Sequence, residues 1–202
     1  LVNKLNTSRL IIGYDHHFGK NREGNIHQLK EYSLLYDFDV EEIPAQDIDD
    51  VSVSSTKIRT ALQNGELKTA NKYLGYRYLL NGIVVDGEKL GAKIGFPTAN
   101  INIEESYKLI PKTGVYIITA IIDGSVFNGM MNIGFNPTVS GKKQTIEAHL
   151  FDFYENLYGK KITIELLYFL RDEKKFLSVD ELISQLKIDK ENAISFLANN
   201  PS

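Results

Sequence analysis

The sequence predicts a mainly β protein: an antiparallel barrel over residues 76–202, preceded by part of an α/β domain over residues 1–75. Two observations carry this. From Tyr76 onward, apolar and β-branched runs recur at short spacing with glycine and proline between them, which is how closed antiparallel sheets read. Before Gly75, a strand, a polar loop and two helical stretches follow one another, as in α/β folds. The 202 residues carry 23 basic and 26 acidic side chains, a net charge of −3. That balance disfavours nucleic-acid and polybasic membrane binding, which need a dominant basic field. It leaves room for phosphorylated ligands, which a few local donors can hold. With no cysteine, disulfides, thiolate metal sites and cysteine nucleophiles are excluded. The longest apolar run, Leu166–Leu170, falls far short of the roughly 20 residues that span a bilayer. No signal-peptide pattern is visible.

Taken in order, Leu10–Gly13 is a compact apolar strand and residues 19–25 a polar loop. Residues 57–64 are good helix sequence, with Ser54 or Ser55 as cap and Gly65 as stop, and residues 66–74 form a second short helix. Strands are expected at Gly82–Asp86, Val115–Ile122, Val126–Ile133, Thr145–Phe153 and Ile162–Leu170, with Asp123-Gly124 as a hairpin turn. Asn132–Thr138 reads as a turn-rich loop, and so does Asn156–Lys160. At the end, Ser178-Val-Asp-Glu181 matches a capping box, and Asp189 reads as the cap of a separate last helix through Leu197.

The segment Leu90-Gly-Ala-Lys-Ile-Gly-Phe-Pro-Thr-Ala-Asn100 is the most unusual. Gly91 and Gly95 let backbone approach a ligand, and Thr98 and Asn100 offer hard oxygen donors suited to Mg²⁺ that also touches phosphates. The plainer reading is a glycine-rich turn into a strand, with both side chains satisfying local backbone. Strand alternation puts Thr145, Glu147, His149 and Phe151 on one face and Ile146, Ala148 and Leu150 on the other. Glu147 is either a solvated outer carboxylate or, if that face lines a pocket, a general base. His149 reads as a packing or surface histidine. Arg171 and Phe176 either flank a planar ligand or serve as an edge charge and a core aromatic. Adjacent His16 and His17 point to opposite faces of an extended chain, so they do not chelate together. The hydroxyls of Ser54, Ser55 and Thr56 with Arg59 at a helix start suit an anion. No Gly-x4-Gly-Lys-Ser/Thr string is present, which disfavours an ordinary P-loop kinase.

Together, Gly-Phe-Pro-Thr-Ala-Asn at 95–100, Gly-Val-Tyr at 114–116, Asn-Ile-Gly-Phe-Asn-Pro-Thr at 132–138, Ile-Glu-Ala-His-Leu at 146–150, Leu-Tyr-Gly-Lys at 157–160 and Leu-Arg-Asp-Glu-Lys-Lys-Phe at 170–176 resemble the bifunctional bacterial riboflavin kinase/FMN adenylyltransferase family. Ile-Gly-Tyr-Asp-His-His-Phe-Gly and Val-Ser-Ser-Thr-Lys-Ile-Arg look like the second half of its adenylyltransferase domain. The resemblance implies a six-stranded Greek-key barrel with C-terminal helices, after a partial Rossmann-like nucleotidyltransferase segment. It implies a cytoplasmic enzyme that phosphorylates riboflavin to FMN with ATP and Mg²⁺. Thr98 and Asn100 would hold the metal and phosphates, and Glu147 would deprotonate the terminal ribityl hydroxyl. Gly91, Lys93, Gly95 and Tyr158 would belong to the nucleotide site, and Arg171 and Phe176 to a flap over the flavin. Where the family has a basic residue after Gly91, this chain has Ala92, with Lys93 beside it. Asp15, Ser55, Thr56 and Arg59 would be half of an adenylyltransferase site whose His-x-Gly-His signature is absent from the sequence. The chain, which starts at Leu1, is therefore expected to be a carboxyl-terminal fragment that makes FMN but not FAD. Two other classes are a non-catalytic flavin-binding or regulatory barrel and an oligonucleotide-binding barrel, the latter disfavoured by net charge.

Overall fold

The computed structural model describes residues 4, 6–14, 16–44, 47–48, 51–87, 90–138 and 141–200, without the side chains of 47, 48, 51, 137, 138 and 141–143. Asp15 lies outside the described residues. The chain divides into two compact units, Leu1–Ser54 and Ser55–Ser202.

In the first unit, strands β1 (Arg9–Gly13) and β2 (Asp39–Ile43) pair in parallel, from Arg9 opposite Asp39 to Gly13 opposite Ile43. Helix α1 (Ile26–Tyr36) lies between them in sequence. Parallel strands need a crossover, and a helix is the usual one, so this is the α/β element expected. Neither α1 nor β2 was predicted. A readable signal existed, because Asn25 caps the amides of His27 and Gln28 while the Gln28 side chain accepts from the Asn25 N–H. Two short strands, β3 (Asp47–Ile48) and β4 (Val51–Ser52), pair antiparallel.

The second unit is built around a closed antiparallel barrel of six strands: β5 (Tyr78–Val85), β6 (Ala99–Asn102), β7 (Gly114–Ile122), β8 (Ser125–Thr138), β9 (Gly141–Leu150) and β10 (Lys161–Arg171). Their order around the barrel is β10-β5-β6-β9-β8-β7. β7, β8 and β9 are consecutive neighbours, and β10 returns to lie beside β7, which is the Greek-key arrangement. The interior is filled by every second residue of the strands, among them Leu80, Ile118, Met131, Ile133, Ala148, Ile164 and Leu166, each at most 1% exposed. Ile164 faces Leu80 on one neighbour and Ala120 on the other. Ile164→Ala is expected to destabilise the chain by about 3 kcal/mol through lost burial and a retained cavity. Denaturant unfolding followed by circular dichroism measures it, since the chain has no tryptophan.

Helices α2 (Ser55–Asn64) and α3 (Leu67–Leu74) belong to this second unit. Ala61, Leu62, Leu67 and Ala70 join its core. The Asn71 carboxamide stitches α3 to the sheet, donating to the Leu166 carbonyl at 3.0 Å and accepting from the Tyr78 N–H at 2.8 Å. Contacts thus separate the units at Ser54/Ser55, twenty-one residues before the change in sequence character at 75.

Two further readings are corrected. Asn132–Thr138 is not a loop: β8 continues through it, paired with β9 as far as Thr138 opposite Gly141. The end of the chain is one helix, α5 (Val179–Asn199), capped by the Ser178 hydroxyl on the Glu181 N–H. Asp189 does not start a new helix, because its carboxylate is occupied by Arg171 and Gln185. Among the described residues, no helix is long and apolar enough to cross a membrane.

Candidate active site

Because Ile146 and Ala148 point into the barrel, the alternation of β9 turns Glu147 and His149 to its outer wall. Register brings the neighbours into line. Glu147 lies opposite Asn100 of β6 on one side and Asn132 of β8 on the other. Thr98, just ahead of β6, donates its hydroxyl to Glu147 Oε2 at 3.3 Å. Three adjacent strands thus place a carboxylate, a hydroxyl and two carboxamides on one surface.

The chain before β6 shapes that surface from above. The single-turn helix α4 (Leu90–Lys93) closes through Phe96 N–H donating to the Gly91 carbonyl at 2.8 Å. A side chain at Gly91 would run into the Phe96 carbonyl oxygen, and Gly95 adopts φ +85°, so both positions favour glycine. The turn delivers Pro97 and Thr98 to the rim. Asn100 sits against Gly87, where any Cβ would collide with its carboxamide.

Two clefts meet at Thr98. The first, about 430 Å³, opens over Val84, Ala92, Ala99 and Ala148 and is bounded by 153–158, including Asn156 and Tyr158. The second, about 230 Å³, lies between the outer wall (Val115, Met130, Asn132, Glu147, His149, Arg171) and a cover made of Gly91, Phe96, Glu173, Phe176, Leu182 and Leu186. Thr98 lines both. Thr98 thus stands where the two clefts join, with its hydroxyl on the Glu147 carboxylate.

The residues singled out from sequence distribute unevenly. Glu147, Gly91, Arg171 and Phe176 line the second cleft, Tyr158 lines the first, and Thr98 joins them. Lys93, Gly95 and Asn100 line neither among the described residues, although Asn100 is in register with Glu147. Ser55, Thr56 and Arg59 are exposed on the first turns of α2 and line neither cleft. Sequence reasoning gave no site role to Asn132 or Gln185, and read Asp189 only as a helix cap. Asn132 had a usable signal, since it lies between the core residues Met131 and Ile133 and so shares the outward phase of Glu147.

His149 is a packing histidine, as its sequence context suggested. It is 7% exposed, its Nδ1–H donates to the Pro97 carbonyl at 2.8 Å, and Phe96 and Phe151 pack edge-on to its ring. Burial pushes its pKa below the usual value, opposed by the Pro97 hydrogen bond and reinforced by the Lys190 ammonium. The folded state therefore favours neutral imidazole. As pH falls below about 6.5 the unfolded chain takes up the proton first, and stability is lost. The melting temperature of the wild type is expected to drop between pH 7.5 and 5.5 by more than that of His149→Gln, which can still donate to Pro97. Equal drops would remove His149 as the cause.

The donor chemistry fits a hard divalent cation such as Mg²⁺. Thr98 and Asn100 offer neutral hard oxygens, and no cluster of three or more His, Cys, Asp or Glu that could cage a metal occurs among the described residues.

Comparisons with known proteins agree with this geometry. A family model described as riboflavin kinase matches residues 74–197, and one described as FAD synthetase matches residues 1–57. A bifunctional riboflavin kinase/FMN adenylyltransferase of Bacillus subtilis is 40% identical over 96% of this chain and 62% of its own length. The protein of the same description from Haemophilus influenzae is 42% identical over 97% and 63%. The chain thus spans somewhat under two thirds of these relatives. A solved structure from Streptococcus pneumoniae, described as a macrolide-efflux protein, is 33% identical and superposes on 100% of this chain and 63% of that one, with a TM-score of 0.83. The riboflavin kinase match covers more than half of the sequence and falls on the barrel that carries Thr98, Glu147 and both clefts, so the chain belongs to the riboflavin kinase family.

Proposed function

We propose that this chain is a cytoplasmic riboflavin kinase, transferring the γ-phosphoryl group of ATP to the terminal ribityl hydroxyl of riboflavin to give FMN and ADP. The observation that carries the reading is Thr98, shared by both clefts and hydrogen-bonded to Glu147. The first cleft takes the nucleotide. No Lys or Arg is among the described residues that line it. Thr98 and Asn100 would hold Mg²⁺, which when bound neutralises phosphate charge. The second cleft takes the flavin, with Arg171 and Phe176 at its planar ring system and the ribityl chain running toward Glu147.

Glu147 accepts the proton of the ribityl hydroxyl as its oxygen bonds to the γ-phosphorus and the bond to the ADP oxygen breaks. In a loose transition state little negative charge builds on the attacking oxygen, so a positioned carboxylate serves as base. Positioning supplies most of the acceleration, which is why two clefts with one shared wall suffice.

Ser55 and Thr56, inside the FAD synthetase match over residues 1–57, and Arg59, just past it, are assigned to the adenylyltransferase activity that the relatives' descriptions carry. The deciding experiment incubates the chain with riboflavin, ATP and Mg²⁺ and separates the flavins by chromatography. FMN without FAD is expected. Bound flavin with no FMN would favour a flavin-binding barrel and overturn the kinase reading.

A further inference from the structure

Arg171 stands at the end of β10, on the wall of the second cleft, yet its charge is already spent. Its Nε donates to both carboxylate oxygens of Asp189, at 2.9 and 3.0 Å, and its Nη2 donates to Oδ2 at 2.6 Å. Its Nη1 donates to the Asp172 carbonyl at 3.0 Å. Asp189 is 1% exposed and sits in the interior of α5, where aspartate is a poor helix former. Its Oδ1 also accepts from Gln185 Nε2 at 2.9 Å. The carboxylate is thereby clamped from two sides, by Arg171 at the end of β10 and by Gln185 one turn earlier on its own helix.

A buried ion pair of this kind is weak evidence for stability, since well-packed apolar residues often do as well or better. What it supplies is orientation. A guanidinium carries five N–H groups in one plane. With three nitrogens engaged, two N–H groups and the flat faces remain for a ligand, and the net charge offered to the cleft is close to zero. Such a group is matched to a planar heteroaromatic ring, by stacking and by in-plane donation to ring acceptors, rather than to a phosphate. The same helix contributes Leu182 and Leu186 to the cleft, so Asp189 fixes both Arg171 and the apolar wall relative to each other.

We infer that Asp189, held by Gln185, is a positioning residue for flavin recognition: it sets the plane of Arg171 and thereby the affinity of the second cleft for the ring system. This rests on the assignment of that cleft to the flavin. It predicts a loss confined to one substrate. A purely structural loss would instead reduce the fraction of active molecules and leave both KM values unchanged.

The test uses the full chain, with circular dichroism as the check of folding. Riboflavin affinity is read from quenching of flavin fluorescence, and the KM values for riboflavin and ATP from FMN formation. Asp189→Asn is expected to raise the Kd and KM for riboflavin about tenfold, with the KM for ATP unchanged and kcat reduced less than threefold. Arg171→Ala is expected to show the same tenfold loss. The double variant should show no more than either single one, because Asp189 acts through Arg171. Should Asp189→Asn fail to fold, Arg171→Lys keeps a cation on Asp189 while losing the planar fork, and the same flavin-specific loss is expected. A folded Asp189→Asn with unchanged riboflavin affinity, parallel changes in both KM values, or additive losses in the double variant would each overturn the inference. A wild type that makes FMN while Asp189→Asn is unaffected sinks this inference alone. A wild type that neither binds riboflavin nor makes FMN sinks the flavin assignment with it.

Discussion

Replacing Glu147 with glutamine is expected to lower kcat by about 10²- to 10⁴-fold, the span usually lost with a general base, while the KM values for riboflavin and ATP stay within about threefold. Glutamine has the shape of glutamate and keeps an oxygen that can accept the Thr98 hydroxyl, which now lies 3.3 Å from Glu147 Oε2. The strand register that places residue 147 between Asn100 and Asn132 depends on backbone pairing and is untouched. What disappears is the ability to take a proton at the second cleft. Steady-state FMN formation, with flavin binding measured separately, checks the split between chemistry and binding. A variant that turns over at near wild-type rate would remove Glu147 from the base role and leave the clefts as binding sites only.

The barrel was legible because alternation in β9 and β10 writes the period-2 pattern directly into the sequence, while β7, buried along almost its whole length, reads as a near-continuous apolar run. β8 was read too short for the opposite reason. Its last residues are rich in Asn, Gly and Pro, a local composition that signals turns. Pairing with β9 along the full hairpin overrides that signal. Gly134 there lies against the Glu173 carboxylate from the segment after β10, a long-range neighbour that local composition does not announce. Asp189 was misread in the same way. An acidic residue within a helical stretch looks like a cap until its partner is known, and Arg171 is 18 residues away on another element. The clefts themselves could not be read from local pattern. Gly91 and Tyr158 look alike as ligand-contacting candidates, but α4 and the 153–158 segment put them on different sides of Thr98.

That position makes Thr98 the residue for which a one-atom change has the widest expected consequence. Thr98→Ala is expected to reduce kcat about 10- to 100-fold and to raise the Mg²⁺ concentration giving half-maximal rate, whereas Thr98→Ser should restore most of both. The hydroxyl, which serine keeps, faces Glu147 and is one of the hard oxygens offered to the nucleotide-borne metal. Folding should be little affected, because Thr98 is only half-buried and lies just ahead of β6, whose core contacts Ala99 and Ile101 make. Titrating Mg²⁺ at fixed ATP, with FMN as readout, separates a metal-holding role from a purely steric one. If alanine and serine behave alike, the hydroxyl is idle and the junction of the clefts acts by shape. If alanine lowers kcat without moving the Mg²⁺ dependence, Thr98 serves only to orient Glu147, and the metal is held elsewhere.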